Sequence, residues 1–177
     1  MANAGKIIIG VGAPTQHQPR PCISLILFRP QQPRNLYTKQ YLHEDEEPFF
    51  APGERVSGLI GQKNEVALAI CYELSVSEHA AAAAGNGAEI YIASVAKFVN
   101  GMEKANQRLA EIARQHNMIV FMANCVGLAD GAECAGHTAV WNRDGALLSQ
   151  LDDTNEGILI FDTETKQLIK SQPAPAV

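Results

Sequence analysis

The side chain best placed for chemistry is Cys71, where an apolar strand gives way to a helix. The run Val66–Ile70 has the length and composition of a buried strand, and Val76–Ala84 is Ala-rich and helical. A thiol at such a junction is exposed by a sharp turn, and the next backbone N–H can face a developing oxyanion. Helix N-termini also favour the nucleophilic thiolate. Position alone leaves open a structural cysteine, the commoner role of a free Cys.

The other three cysteines lack this setting. Cys22 lies within a predicted strand, and Cys125 and Cys134 lie near strand ends or in loops. There is no CxxC spacing, and residues 1–15 carry a single Lys and only a short apolar patch, which does not resemble a secretory signal. We therefore predict a cytoplasmic protein in which these cysteines are structural thiols rather than bridges.

The elements that must position Cys71 are short apolar strands separated by turn signals, together with a second helix. This helix, Gly101–His116, is amphipathic, with Leu109, Ile112 and Ala113 along one face. Mixed strands and helices with antiparallel hairpins predict an α+β layered sandwich. The predicted strands are Ile7–Val11, Cys22–Phe28, one ending near Tyr41, Val56–Ile60, Val66–Ile70, Glu89–Val95, Met118–Ala123, Thr138–Trp141, Ala146–Leu151 and Gly157–Phe161, with turns at Pro14–Pro21, Pro30–Arg34 and Asn142–Gly145.

Bulk composition excludes several classes of protein. A chain of 177 residues suits one domain, and 46% hydrophobic with 19% charged residues is typical of a globular protein. The net charge is -5 and no basic stripe is present, so no nucleic-acid partner is predicted. The longest apolar stretches, 88–96 and 118–128, are too short or too interrupted to span a bilayer, so no membrane partner is predicted. No cofactor or metal site is predicted either.

Six segments, in order, resemble motifs of the nitrilase superfamily of carbon–nitrogen hydrolases. Val66–Glu78 resembles its cysteine motif, an apolar strand ending in Ile-Cys-aromatic-acid, and Leu36–Leu42 contains its Tyr-x-Lys-x-x-Leu motif. Phe49–Gly53 matches the aromatic-Phe-x-Pro-Gly segment that follows. The similarity runs from about Lys6 to about Leu168. The remaining segments are Gly87–Ile90, Ala123–Gly127 and Gly136–Thr138.

The resemblance implies a layered α-β-β-α sandwich of the carbon–nitrogen hydrolase type, incomplete at its N-terminus. It places a hydrolase-like domain at residues 1–169 and leaves 170–177 as a flexible tail. Because relatives pair through helices of the sandwich, it also implies a homo-oligomer. The small side chains of Val76–Ala84 would permit close helix packing.

The resemblance also implies catalytic roles. Cys71 would attack a carbonyl or nitrile carbon and form an acyl-thiol intermediate that water hydrolyses. Lys39, taken alone an ordinary surface lysine, would stabilise the oxyanion together with the backbone N–H of Tyr72 and would favour the Cys71 thiolate. The substrate would be a small molecule, with amide, carbamoyl-amide and nitrile chemistry all open.

A second glutamate in the acidic loop assists the general base in many members of the superfamily. Glu44, Glu46 and Glu47 are candidates here, and the acidic run is equally consistent with a solvated loop. Glu46 fits best by its distance from Pro52, with Glu47 nearly equal. Asn124 and Glu73 are expected to be supporting residues without a chemical role.

One departure from the superfamily pattern concerns the general base. That glutamate lies well upstream of the lysine in the superfamily, and residues 1–38 contain no Asp or Glu. Lys6–Pro14 resembles the strand that follows the missing segment, so we expect Met1 to be an internal residue of a longer chain. The 177 residues alone are then expected to turn over substrate slowly or not at all.

Two other interpretations remain open at this point. A non-catalytic, truncated homologue would keep the fold as a binding or assembly module. A redox-responsive thiol protein would use Cys71 without hydrolysis. Retention of Lys39, Cys71 and the acidic loop favours the hydrolase.

Overall fold

The computed structural model describes residues 7–55, 59–61, 63 and 65–171, and the chain divides into two compact units, residues 1–58 and 59–177. The described part of the first unit contains one antiparallel sheet of three strands in the order β1-β2-β3. These strands are β1 (Ile9–Thr15), β2 (Cys22–Phe28) and β3 (Asn35–Thr38).

Three boundaries in this sheet differ from the sequence prediction, and the first is that β1 begins at Ile9 rather than at Ile7. β1 extends beyond Val11 through Pro14, which was predicted to begin a turn. Proline is tolerated there because β1 is an edge strand, where a missing N–H need not break a ladder hydrogen bond. β3 ends at Thr38 rather than near Tyr41, and β2 has the predicted bounds.

The second unit is built around a five-stranded sheet in the order β10-β9-β6-β5-β4. Strands β4, β5 and β6 are parallel, whereas β9 and β10 add antiparallel edges. Helix α1 connects β4 to β5 and helix α2 connects β5 to β6, as parallel strands require a crossover. The elements are β4 (Val66–Ile70), α1 (Ser77–Gly85), β5 (Ile90–Val95), α2 (Met102–His116), β6 (Ile119–Asn124), β9 (Ala139–Trp141) and β10 (Leu147–Gln150).

Helix α2 buries the predicted face against one side of this sheet. Leu109, Ile112 and Ala113 are fully buried, which confirms the sequence assignment. Alternate residues of the central strands join the same cluster, because side chains along a strand point to opposite faces. Asn117 ends α2 in the left-handed conformation (φ 54°), which asparagine tolerates at this position. Within the described ranges, no helix has both the length and the hydropathy of a membrane span.

Two hairpins contain strands that the sequence analysis missed. Asp130 and Gly131 join β7 to β8 with positive φ values of 50° and 74°, the conformation that favours an Asp-Gly pair. The Asp-Gly dipeptide could have been used to predict this hairpin from the sequence. The other hairpin joins β11, which was predicted at Gly157–Phe161, to β12, which was not predicted. The strands are β7 (Val126–Ala129), β8 (Ala132–Ala135), β11 (Ile158–Phe161) and β12 (Leu168–Ser171).

Two predicted segments lie partly outside the described residues. β12 continues through Ser171, two residues into the predicted tail, and residues 172–177 are outside the described ranges. Residues 56–58 of the predicted strand Val56–Ile60 are also outside them. Ile60 itself forms an isolated bridge with Val66.

The predicted turn Asn142–Gly145 connects β9 to β10, and its glycine is required by both conformation and space. The Asn142 carboxamide oxygen accepts hydrogen bonds from the N–H groups of Asp144 and Ala146. Gly145 has φ 81°, and a Cβ there would lie 2.6 Å from the carbonyl oxygen of Ala110. A side chain at this position would therefore meet backbone strain and a clash with α2.

We predict that Gly145→Ala lowers the free energy of unfolding by about 1–3 kcal/mol, the usual cost of a strained non-glycine residue. Urea unfolding measures this change. Gly85→Ala is the matched control, because no heavy atom lies within 4 Å of its Cβ position. Equal stability of the two variants would contradict the structural role of Gly145.

Candidate active site

Cys71 lies immediately after the last residue of β4, in the left-handed conformation with φ 46°. Positive φ is uncommon for a residue with a side chain, and such residues persist only where the surrounding structure holds them. The side chain is half-buried. This geometry agrees with the sharp turn that the sequence predicted at the end of the strand.

The helix that follows Cys71 differs from the prediction. A 3-10 helix, Cys71–Ser75, comes first, and α1 starts only at Ser77. Val76 is extended (φ -94°, ψ 112°) and separates the two. Because a helix dipole acts mainly within its first turn, the N-terminus of α1 does not act directly on the thiol.

Two side chains fix the backbone around this turn. Glu73 is fully buried, and its carboxyl oxygen accepts the N–H of Ile70 at 2.8 Å. Arg108 of α2 donates from Nε to the carbonyl oxygen of Leu74 at 3.2 Å. The residues on both sides of Cys71 are thus tied to groups outside the strand, which agrees with the expected supporting role of Glu73.

A buried His–Tyr pair lies next to Glu73. His79 Nδ1 and the Tyr91 hydroxyl are 2.9 Å apart, whereas His79 Nε2 lies 3.7 Å from Glu73 Oε2, too far for a hydrogen bond. Burial lowers the pKa of His79 to about 4, so its ring is neutral at pH 7. Burial, and then the Glu73 carboxylate, raise the pKa of Tyr91. The pair is therefore a neutral hydrogen-bonded unit.

Lys39, in the first unit, is completely buried, so the alternative of an ordinary surface lysine is wrong. Its Nζ donates to both carboxylate oxygens of Glu46, at 2.5 and 2.6 Å. The backbone is fixed as well, because Lys39 N–H donates to Ile23 and the Lys39 carbonyl accepts from Gly53. A buried ammonium needs such compensation, since an unpaired charge in the interior is strongly destabilising.

The acidic loop presents Glu46, rather than its neighbours, to Lys39. The Glu46 carboxylate also accepts the N–H of His43 at 2.8 Å, and its carbonyl accepts the N–H groups of Phe49 and Phe50. The side chains of Glu44 and Glu47 are exposed. Of the three candidates, Glu46 is the carboxylate on Lys39.

The segment after this loop ends in glycine because Gly53 passes close to Thr38. A Cβ there would lie 2.7 Å from both the Cβ and the carbonyl oxygen of Thr38. No side chain fits this close approach. The glycine therefore lets the loop pass directly against the end of β3, beside Lys39.

Asn124 joins three segments at the end of β6. Its Oδ1 accepts the N–H of Lys97 at 2.8 Å, and its Nδ2 donates to the Gly136 carbonyl at 2.7 Å. Its own N–H donates to Thr138 Oγ1. These hydrogen bonds connect the motif at Ala123–Gly127 to the motif at Gly136–Thr138. Asn124 therefore has the structural role that was expected of it.

A cavity of about 270 Å³ lies beside this cross-link, lined by Cys125, His137 and Thr138 among others. His137 has φ 59°, and its buried Nδ1 has no hydrogen-bond partner. Among the residues that the structure describes, no three His, Cys, Asp or Glu side chains are grouped closely enough to hold a metal ion.

The four predicted site residues fall in two units. Lys39 and Glu46 are in the first and in direct contact, whereas Cys71 and Tyr72 are consecutive in the second. Convergence of Lys39 and Cys71 on one pocket remains a prediction of the sequence analysis.

A family model described as carbon–nitrogen hydrolase matches residues 1–170, nearly the whole chain. The chain belongs to the carbon–nitrogen hydrolase family. A curated relative, an (R)-stereoselective amidase from a Pseudomonas species, is 27% identical over 143 residues, which cover 80% of this chain and 52% of the relative. The chain thus spans about half the length of that protein.

Solved structures of the nitrilase superfamily share the fold. Saccharomyces cerevisiae Nit3 matches with a TM-score of 0.78 and 21% identity, covering 98% of this chain and 62% of its own. A Nesterenkonia amidase variant matches with a TM-score of 0.77 and 22% identity, covering 86% of this chain and 60% of the amidase. A glutamate-to-glutamine variant of the same amidase carries the acetamide moiety of fluoroacetamide on its active-site cysteine. It matches with a TM-score of 0.74 and 21% identity, covering 86% of this chain and 60% of the amidase. The predicted α+β fold of the carbon–nitrogen hydrolase type is confirmed.

We predict that Glu46→Ala lowers the free energy of unfolding by about 3 kcal/mol, because it leaves Lys39 as a buried cation without its carboxylate. Chemical denaturation at pH 7 measures the loss. Glu47→Ala is the matched control, since it removes an exposed carboxylate from the same loop. The double variant Lys39→Met with Glu46→Leu should be less destabilised than Glu46→Ala, and greater destabilisation would contradict this account.

The low pKa of His79 predicts a pH-dependent stability. In the unfolded chain this residue has a pKa of 6.5, and in the fold about 4, so the unfolded state binds the proton first as pH falls. The contribution of neutral His79 to the free energy of unfolding is fully present above pH 6.5. It is lost progressively towards pH 4, by up to about 3 kcal/mol. Denaturation curves of the protein and of His79→Asn, measured from pH 7 to pH 4, should converge at low pH. Parallel curves would show that His79 is not buried neutral.

Proposed function

We propose that this chain carries the nucleophile of an amidase that hydrolyses a small-molecule amide through a covalent intermediate on Cys71. The observation that carries the proposal is the left-handed Cys71 at the end of β4, a half-buried thiol on a braced turn in a carbon–nitrogen hydrolase fold. The small-molecule amide is the partner that this chemistry requires.

The proposed reaction has two stages. The Cys71 thiolate attacks the amide carbon, and the Tyr72 N–H and the Lys39 ammonium stabilise the oxyanion that forms. The carbon–nitrogen bond then breaks, the amine leaves with a proton, and the acyl group stays on sulfur. Water attacks the acyl-thiol in the second stage, which releases the acid and restores the thiol.

The pairing of Lys39 with Glu46 supports this assignment. A lysine buried against a carboxylate has a fixed position, whereas a surface lysine samples many rotamers. Preorganised charge is what oxyanion stabilisation needs, because little reorganisation then accompanies the reaction. We propose Glu46 as the residue that holds Lys39 and assists the base.

The choice of amides rests on the relatives. The Pseudomonas protein is an (R)-stereoselective amidase, and the Nesterenkonia amidase has been captured with butyramide. Its glutamine variant still took the acetamide moiety of fluoroacetamide onto the active-site cysteine. By analogy, the Cys71 thiol would react with such a probe even where the general base is missing.

The general base is the part of the mechanism that residues 1–38 do not supply, since they contain no Asp or Glu. The Glu46 carboxylate already accepts hydrogen bonds from Lys39. This position suits Glu46 to assist a general base rather than to act as one. General-base assistance is typically worth about 10²–10⁴-fold in rate. We therefore propose that the 177-residue chain forms the covalent intermediate but turns it over slowly.

Labelling with fluoroacetamide tests the proposal. The thiolate displaces fluoride, and peptide mass spectrometry should find the acetamide group on Cys71 well before the other cysteines. Cys71→Ser should abolish this label, and Cys22→Ser, which alters a buried thiol in β2, should leave it unchanged. Uniform labelling of the four cysteines would refute a special nucleophile and favour a non-catalytic binding module.

Butyramide hydrolysis tests the second stage. We expect the 177-residue chain to release ammonia slowly or not at all. Rapid release that depends on Cys71 would show that the base lies within residues 39–177. Release at the same rate by Cys71→Ser would refute the proposed nucleophile.

We also propose that the protein forms a homo-oligomer through α1. The helix presents exposed small side chains at Ala81 and Ala82, which would allow another helix to approach closely. Light scattering of the intact protein at high concentration distinguishes an oligomer from a monomer.

A further inference from the structure

Two cysteines that have no role in the proposed hydrolysis lie in van der Waals overlap at the base of the β7–β8 hairpin. The Sγ atoms of Cys125 and Cys134 are 2.8 Å apart, and both residues are free thiols. The Cys125 thiol is placed to donate to the Cys134 sulfur. Two thiols this close form a dithiol rather than two independent structural cysteines.

We propose that Cys125 and Cys134 are an oxidative modification site, which a hydroperoxide converts from a dithiol into an intramolecular disulfide.

The hairpin geometry requires little movement for this reaction. Cys134 pairs with Gly127, and the Gly136 N–H donates to the Cys125 carbonyl at 3.0 Å, so Cys125, which immediately precedes β7, lies diagonally across the hairpin from Cys134. A disulfide bond is about 2.05 Å long, so the sulfur atoms need to approach by only about 0.8 Å from their 2.8 Å separation. Closure also requires the two side chains to rotate into the dihedral angle of a disulfide.

The surroundings give the two thiols different roles. Cys125 is half-buried and lines the cavity of about 270 Å³, whereas Cys134 is only 1% exposed and is not among the lining residues. A small peroxide that enters the cavity therefore meets the Cys125 sulfur first. Cys134 is positioned behind it as the resolving thiol.

The chemistry balances with the hydroperoxide as the sole oxidant. The Cys125 thiol takes one oxygen from ROOH, which gives a sulfenic acid and releases ROH. The Cys134 sulfur then attacks the Cys125 sulfur, the S–O bond breaks, and the hydroxyl leaves with the Cys134 proton as water. Two sulfur atoms have each lost one electron, and the peroxide has gained both.

The thiol form of Cys125 makes this a slow sensor rather than a rapid peroxidase. Burial, together with the hydrogen bond to Cys134, raises the pKa of Cys125 to about 11. The thiolate is the nucleophile, and only a small fraction is present at neutral pH. The pair therefore stays reduced during brief exposure and closes during sustained oxidation.

Closure would add a covalent bond next to a structural cross-link. Asn124, which precedes Cys125, bonds the backbone of Lys97 and of Gly136. A disulfide from Cys125 to β8 would hold the hairpin to the same junction. The modification would thus rigidify one wall of the cavity without using the Cys71 thiol.

The test uses the 177-residue chain, reduced and then incubated with hydrogen peroxide before remaining thiols are blocked with N-ethylmaleimide. Glu133 lies between the two cysteines in the sequence, so a glutamate-specific protease separates them unless a disulfide joins their peptides. We expect the Cys125–Cys134 cross-linked pair as the major disulfide, lighter than the two thiol peptides by about 2 Da for two hydrogens.

Serine variants distinguish this site from general oxidation. Cys134→Ser should abolish the cross-link and leave a sulfenic acid on Cys125 that dimedone traps, and Cys125→Ser should abolish both signals. Cys22→Ser is the control and should preserve the cross-link. The proposal is overturned if folded protein yields no Cys125–Cys134 disulfide, or if Cys125 pairs equally with Cys71 or Cys22.

Discussion

The first unit depends on the burial of a charged side chain. Lys39 is completely buried, and an ammonium in the interior without a counterion would cost several kcal/mol. The acidic loop must therefore fold so that Glu46 reaches Nζ, and Gly53 must allow the chain to pass against β3. Three segments of the sequence are thus positioned by one ion pair, and the same pair gives a cation the fixed position that the proposed catalytic role needs.

In the second unit, the parallel strand β4 ends directly before the proposed nucleophile, Cys71. The left-handed conformation of Cys71 costs about 1–3 kcal/mol for a residue with a Cβ. Glu73 and Arg108 offset this cost by satisfying backbone groups on either side of the turn. The neutral His79–Tyr91 pair fills the adjacent interior without adding a charge, since burial keeps His79 unprotonated at pH 7.

The end of β6 carries a second group of polar contacts that does not belong to the proposed reaction. Asn124 fixes the backbone there, and the neighbouring cysteines approach each other because the β7–β8 hairpin begins at that point. A hydrolase that uses one thiol as a nucleophile would thus carry a separate thiol pair that responds to oxidants. The two sites have different settings, because Cys71 lies on the turn that follows β4, whereas Cys125 and Cys134 lie at the β7–β8 hairpin.

The sequence by itself determined the features that depend on local pattern. Apolar runs predicted the bounds of β2 and β4, and period 3.6 predicted the buried face of α2. Motif order singled out Cys71, Lys39 and the acidic loop as candidate site residues. Tertiary structure alone decided which glutamate meets Lys39, that this lysine is buried, and that Cys125 touches Cys134. It also decided that a 3-10 helix precedes α1. These outcomes depend on burial and side-chain packing, because several residues of similar type lie in the same short loop or hairpin and their pattern does not record which side chain turns inward.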